Sequence, residues 1–430
     1  MKVFSLNIIF LFSLSAIGQQ FLNIKIDEGS GIGGPNEPTI SISRDNPEVI
    51  VGGSNTNRLY YSKDGGLTWK KKMMKSRYGV YGDPCIISIA NNRFLYFHLS
   101  LPEGNPYFDD SFLDRIVCQK SKKNPKRWSR GSFAGLNPPK DQDKEWACYN
   151  PEKDEVYLTW TQFDAYNSRS TEDSSVVLFS KSTDQGKTWS AAIRLNRQAG
   201  NCLDDDSTTE GVVTTHGFQD DLYAVWAFDG VLWLNRSQDG GATWNQNEQA
   251  IARQVGGWNQ NIPGIMRCNG FPTFKVIGSG AHKGRLILCW SDQREGPDNT
   301  NVFTKFSDDW GETWSEAKLV NDDGTNTHQF LPWMTVDDST GYVYVLYYDR
   351  RAYTDERTDV YLAVSTDGGE TYKNTKISAA PFLPEEQVFF GDYINIDVVG
   401  GRVRPIWTRY EDGQLSIWTA IIEADNLLQK

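Results

Sequence analysis

Short segments in which apolar and polar residues alternate recur along most of the chain, separated by Gly-rich turns. This period of two predicts half-buried β-strands rather than helices. Seven such segments each follow a short motif: "NEPTISIS" (36–43), "GDPCIISI" (82–89), "KEWACYN" (144–150), "TEGVVTT" (209–215), "GFPTFKVI" (270–277), "LPWMTVD" (331–337) and "GDYINIDV" (391–398). Each opens a unit whose second strand ends in an aromatic and polar cluster and whose third strand runs into a recurring turn.

That turn has the skeleton S-x-D-x-G-x-T-W. It reads "SKDGGLTW" (62–69), "STDQGKTW" (182–189), "SQDGGATW" (237–244) and "SDDWGETW" (307–314), and a fifth copy, "STDGGETY" (365–372), ends in Tyr372. The copies lie roughly 60 residues apart, a period that marks a repeat architecture. Only the gap from Trp69 to Trp189 is double, and "SKKNPKRW" (121–128) fills it with Ser121 and Trp128 kept and the Asp and Gly lost. There are thus six turns for seven openings. After "RVRPIWTR" and "QLSIWTAII" the last unit has three strands, and the N-terminal "FLNIKI" (21–26) supplies a fourth, closing a ring. The prediction is an all-β β-propeller of four-stranded antiparallel blades, seven in number, with six as the alternative, in which closure removes exposed sheet edges. In the turn an Asp accepts backbone N–H groups, Gly supplies angles closed to other residues and Trp fills space between sheets. Asp64, Asp184, Asp239, Asp309 and Asp367 are therefore read as structural, because a repeated catalytic acid has no use where a substrate visits one site.

The repeated turn is similar to the Asp-box, and the chain resembles the sialidase and BNR-repeat superfamily over most of its length. The resemblance implies a propeller with the turns between third and fourth strands, on the face opposite the active site. Sialidases of this superfamily usually have six blades, while seven-bladed relatives include polysaccharide lyases. Sialidases hold the substrate carboxylate with three arginines, attack with a Tyr assisted by a Glu and use an Asp as acid/base. Carried over, the arginines match Arg294, Arg351 and Arg409, the Tyr matches Tyr348 or Tyr393, and the acids match Asp83, Glu145 or Glu210. The chain departs from the family at its first opening, "GPNEPTISIS", which lacks the family's N-terminal Arg motif.

Chain parity gives a second route to the same region. Loops that enter first strands and leave second strands share the face away from the turns; the entries carry Asn36, Glu37, Tyr81, Asp83, Asp143, Lys144, Glu145, Asp204 to Asp206, Glu210, Phe271, His328, Gln329, Asp392 and Tyr393, and the exits Asn55, Arg58, His98, Gln162, Asp164 and Asp229. Three successive second-strand ends, "CWSDQR" (289–294), "LYYDRR" (346–351) and "IWTRYED" (406–412), bring Arg294, Arg350 or Arg351, and Arg409 to that face. Together they form a candidate clamp for an acidic sugar, since guanidinium groups bind carboxylates with two bonds and stay charged. The competing expectation is that each Arg pairs with a neighbouring acid, Asp292, Asp349 or Asp412. A uronate lyase would use the same clamp with a Tyr or His to move the proton, for which His98 with Tyr81 or Tyr166 is the candidate set. A third reading has no catalysis: Trp146, Phe271, Phe330, Trp333 and Tyr393 serve as stacking platforms for a glycan or protein, against inter-blade packing as the alternative role.

Charge and composition narrow the class. A net charge of -11 argues against a nucleic-acid partner, which needs clustered Lys and Arg. The start of the chain, Lys2 followed by "VFSLNIIFLFSLSAI", reads as a signal peptide (1–18) cut near Gly18, since an apolar run of about 15 residues is short for a bilayer span. The expectation is a secreted or periplasmic single domain (19–430) without a membrane span. No cofactor or metal is indicated: the run Asp204, Asp205 and Asp206 lacks the spacing of a calcium loop. Of the six cysteines, Cys202 and Cys268 are the candidate disulfide, and Cys85, Cys118, Cys148 and Cys289 read as buried thiols. The expected activity is glycoside hydrolysis of an acidic oligo- or polysaccharide, with β-elimination of a uronate polysaccharide and non-catalytic binding as alternatives.

Overall fold

The computed structural model describes residues 21–30, 34–102, 109, 111–428. The signal peptide falls on residues outside this set. Seven four-stranded antiparallel sheets follow one another around an axis. Their first strands, nearest the axis, are Thr39–Ile42, Cys85–Ile89, Asp141–Asn150, Glu210–His216, Thr273–Val276, Gln329–Val336 and Asn395–Val399, numbered here as blades 1 to 7. Blade 7 takes its outer strand from the other end of the chain: Leu22–Ser30 pairs antiparallel with Gln414–Glu423. That pairing closes the ring as the seven openings and six turns required.

The core lies between the blades. Second strands place Trp160, Trp226, Trp290 and Trp407 there, all fully buried, and two of these indoles find acceptors, Gln142 Oε1 at 2.7 Å from Trp160 Nε1 and Asp292 Oδ2 at 2.9 Å from Trp290 Nε1. Such handles make a buried indole affordable.

Each Asp-box joins a third to a fourth strand and is held by its own side chains. In blade 4, Thr243 N donates to Asp239 Oδ1 at 2.8 Å and Ser237 Oγ accepts from Gly241 N at 2.9 Å. Bonds from Thr243 hold the Asp239 carboxyl low, at about 2, and Thr313 does the same for Asp309. The closing aromatic then reaches the preceding blade: Trp244 meets Phe179 edge-on at 5.0 Å, Trp189 meets Phe97 at 5.8 Å, and Tyr372 Oη donates to Thr304 Oγ1 at 3.0 Å. In the degraded copy, Ser121 and Trp128 still form a bridge. The turns are therefore braces between blades.

The expected Cys202–Cys268 disulfide is not formed, and all six cysteines are free thiols. Cys202 faces the backbone of Asp164 and Ala165, whereas Cys268 faces that of Leu331, so the two thiols point into different seams of the ring.

Candidate functional site

The opening motifs place one side chain per blade at the mouth of the axis, and the backbone there is unusual. Glu37, Asp83, Lys144 and Leu331 all have φ near +50° (50°, 51°, 53° and 48°), and Gly211 has 65°. In blades 3, 4 and 6 this coincides with a break in strand register, between Asp143 and Trp146, Glu210 and Val213, and Phe330 and Trp333. Bulges of this kind re-aim a side chain. A left-handed conformation costs an ordinary residue about 1–3 kcal/mol, and such strain clusters at functional sites.

Asp83 and Lys144 from these openings join Asp392 and the loop residues Arg267, Asp204 and Tyr166 in one connected chain. Lys144 Nζ lies 3.9 Å from Asp83 Oδ2 and 3.1 Å from Asp392 Oδ2. Arg267 Nε donates to Asp392 Oδ1 at 2.8 Å and its Nη1 to Asp204 Oδ2 at 2.7 Å. Tyr166 Oη closes the chain on Asp204 Oδ2 at 3.3 Å. Most of it is sealed: the Asp392 side chain is 0% and that of Lys144 3% exposed, while Asp83 at 15% and Arg267 at 31% reach solvent.

Proton affinities divide along this chain. Burial, reinforced by Asp83 and Asp392, raises Glu37 well above the usual carboxylate range. Burial likewise raises Asp83 against the pull of Lys144, and Glu37 shares a hydrogen bond with it. Asn55 fixes the pair, donating to Glu37 Oε2 and accepting from Asp83 N at 2.7 Å. At Asp392 burial is overcome by Arg267 and Lys144, and its carboxyl is held below the usual range. Environments that push neighbouring carboxyls apart are how one site comes to hold both an acid and a carboxylate. Burial also raises Asp143, to about 7, and lifts Glu145 and Glu210 well above their usual range.

Below the carboxyls the axis is blocked. Trp146, Phe271, Trp333 and Tyr393 touch one another with ring centroids 4.4 to 6.2 Å apart. They are packed against each other rather than offered as platforms, and Phe330 packs instead on Tyr348. Beside the mouth a cleft of about 690 Å³ opens between Tyr166, Asp204, Arg267 and Phe389, with the Arg267 guanidinium 5.0 Å from the Phe389 ring.

Of the residues singled out in the sequence, Asp83, Glu145, Glu210, Asp392 and Tyr393 are gathered at this mouth. The others are not. His98 is fully buried inside blade 2, its Nδ1 2.8 Å from Leu99 O, and burial lowers it to about 4. Tyr348 is sealed in the seam of blades 6 and 7, where its Oη donates to Thr408 O at 2.7 Å.

The four arginines share no partner. Arg294 forks onto Asp292 and lies 3.9 Å from the Phe303 ring; Arg351 forks onto Asp349 and Asp322 and lies 4.2 Å from the Tyr361 ring. Arg350 donates to Thr358 Oγ1 and Pro263 O, and Arg409 to Pro381 O beside Glu411 and the Trp418 ring. Adjacent acids and aromatic faces draw Arg294 and Arg351 along their own blades, so the expected convergence over the axis does not occur.

Of the charge chain, Lys144 and Asp204 were placed on this face by the sequence without a role, and Arg267 was not singled out at all. Asp204, Asp205 and Asp206 do not face one common point. Asp204 receives Arg267 and the Trp258 indole at 3.0 Å, Asp205 Oδ1 receives Ser207 N, and Asp206 receives the backbone of Trp258. Arg267 lies between the strands Gln249–Arg253 and Thr273–Val276. An unusually long connection was the available signal, since long loops in compact folds carry function.

Comparison with known proteins agrees with this architecture. A family model described as a BNR repeat-like domain matches residues 224–387, and one described as a BNR/Asp-box repeat matches 60–71. Among solved structures, an ulvan lyase of a new polysaccharide lyase family aligns at 10% identity over 94% of this chain and 96% of its own, TM-score 0.55. An α-L-arabinofuranosidase from Fusarium graminearum aligns at 11% identity over 96% and 100%, TM-score 0.52. The NanB sialidase from Streptococcus pneumoniae aligns at 9% identity over 88% and 83%, TM-score 0.51. At such identities the likeness concerns the fold. With its matched repeats, six braced turns and closed ring, the chain is a seven-bladed β-propeller built on BNR/Asp-box repeats.

Proposed function

We propose that the chain is a glycoside hydrolase whose acid is the Glu37–Asp83 pair, with Asp83 as the member that meets the glycan. The observation that carries this is the division of proton affinity along one connected chain: a raised carboxyl pair at one end and an ionised Asp392 held by Lys144 and Arg267 in the middle. A proton that burial holds on the pair more tightly than on an ordinary carboxyl is available to the glycosidic oxygen as the bond breaks. Tyr166, hydrogen-bonded to Asp204 in the cleft, is the candidate for the opposite side of the sugar, as nucleophile or as the group that orients water.

Solved relatives of this fold act on carbohydrates, as a sialidase, an arabinofuranosidase and a polysaccharide lyase, and one of them is bound to an oligosaccharide containing GlcA. An acidic glycan remains the expected substrate class, with Arg267 as the cation that meets its carboxylate. That group has to compete with Asp392 and Asp204, which already occupy Arg267.

Eliminative cleavage is the second reading, and the neighbourhood of Tyr166 and Arg267 favours it: with its phenol raised by burial, Tyr166 would pass its proton to Asp204, its hydrogen-bond partner, and take the C5 proton of a uronate held at Arg267. Reducing-sugar release from a panel of acidic and neutral glycans, with absorbance followed near 232 nm, separates the two. Hydrolysis without the absorbance rise, reduced about a hundredfold in Asp83→Asn, is the expected result. A rise that survives Asp83→Asn and disappears in Tyr166→Phe would replace hydrolysis by elimination.

A further inference from the structure

The aromatic block divides the axis in two, and its rear half is a separate cavity of about 540 Å³. Its walls are the far ends of the first strands, on the face that carries the Asp-boxes, and it extends in to Trp146 and Trp333. The volume is in the range of small-molecule sites.

Four of the polar side chains that face this cavity make no hydrogen bond or ion pair among the described residues. The Lys275 ammonium extends across the axis to the neighbourhood of Cys85, Cys148 and His216, from blades 2, 3 and 4. Among the described residues it has no carboxylate or carbonyl partner. The side chains of Thr215, Thr335 and Asn395, each only 6% exposed, line the same space and make no hydrogen bond to protein. Other charged groups nearby are committed or outside. Arg44 forks onto Asp397, burial keeps His216 low and hence neutral, and Asp45, Glu152 and Asp338 stand exposed on the rim. A half-buried cation and three polar side chains open to the cavity, none with a protein partner among the described residues, are the few convergent polar groups that a small-molecule site offers.

We infer that the rear cavity is a second binding site, for a compact polyhydroxylated acid such as a single uronic sugar. Its carboxylate pairs with Lys275, its hydroxyls take the free valences of Thr215, Thr335 and Asn395, and its apolar face lies toward Trp146 and Trp333. The site is closed off from the front mouth by the aromatic block, so it does not depend on the catalytic reading above.

Calorimetric titration of the full chain with glucuronate, with glucose as the neutral counterpart, tests this. Saturable binding of glucuronate is expected, at least tenfold weaker for glucose, lost in Lys275→Met and kept in Asp83→Asn. Thr335→Val, a change of nearly equal volume, serves as the independent variant and should weaken binding severalfold with an unchanged melting temperature. Absence of saturable binding would overturn the inference and leave the cavity to water. Binding that persists in both rear variants, or that disappears in Asp83→Asn, would assign the ligand to the front mouth and overturn it equally.

Discussion

Lys144 and Asp392, 248 residues apart in sequence, meet at 3.1 Å with both side chains almost wholly removed from water. The contact ties blade 3 to blade 7 across the mouth and, with Arg267, holds the Asp392 carboxyl low beside the Glu37–Asp83 pair, which burial raises. Lys144→Met leaves Asp392 with Arg267 alone and removes the cation beside Asp83. Breaking a buried pair in this way costs about 3–5 kcal/mol, read as a lower urea midpoint. Because the cost comes mainly from the abandoned carboxylate, adding Asp392→Asn should return part of it. A double variant as unstable as the sum of the two singles would show that the residues are not coupled.

The buried carboxyls set the pH dependence of stability. Burial raises Glu145 and Glu210 well above 4.5, so the folded chain holds protons that the unfolded chain has released. Their contribution is complete below the unfolded value and declines as pH rises toward the folded one. Asp392 works in the opposite sense: its depressed carboxyl contributes above about 3.8, and that contribution is lost as pH falls through its folded value. Stability should therefore peak in mild acid and fall from pH 5 to pH 8. Both Glu145 oxygens lack hydrogen-bond partners, so Glu145→Gln should flatten the alkaline limb and raise the melting temperature at pH 8. A melting temperature that climbs between pH 5 and pH 8 in the unaltered chain would contradict this account.

The braces and the charged mouth occupy opposite faces, which makes their variants separable. Trp244→Ala empties the seam where the indole meets Phe179 and should destabilise by about 2–4 kcal/mol while kcat and KM on any substrate stay unchanged below the melting transition. A loss of kcat without a loss of stability would place the turn in the catalytic machinery.

The thiols give a simpler measurement. All six are free, and five are buried. A thiol titration in denaturant should find six reactive groups, and dithiothreitol should not shift the melting temperature. Fewer than six, with a shift on reduction, would restore a disulfide.

Repetition is why the blades were legible and single contacts were not. The eight-residue turn recurs with its spacing, so its bonding, blade number and ring closure could be read from Ser62 to Tyr372 before any coordinates. Parity then placed Asp83, Glu145, Glu210, Asp392 and Tyr393 on one face correctly. It could not rank residues within that face. Whether an arginine turns inward or lies along its own blade depends on the acid two positions before it and an aromatic on the third strand, as with Asp349, Arg351 and Tyr361. Arg267 belongs to no repeat at all, so nothing in the periodic pattern could nominate it.

That local competition yields the last prediction. Arg351 is held by Asp349, by Asp322, by the Tyr347 hydroxyl, to which it donates, and by the face of Tyr361, and Asp349 is wholly buried. Arg351→Ala therefore strips a buried carboxylate of its partner and should lower stability by about 1–3 kcal/mol, with glycan cleavage intact. Arg267→Ala also strips the buried Asp392 and Asp204 of a partner, but in addition it opens the cleft beside Tyr166, so cleavage below the melting transition should fall at least tenfold. Measured side by side, the two variants decide which arginine meets the glycan. Loss of activity in Arg351→Ala, with Arg267→Ala active, would move the site outward to the second-strand arginines.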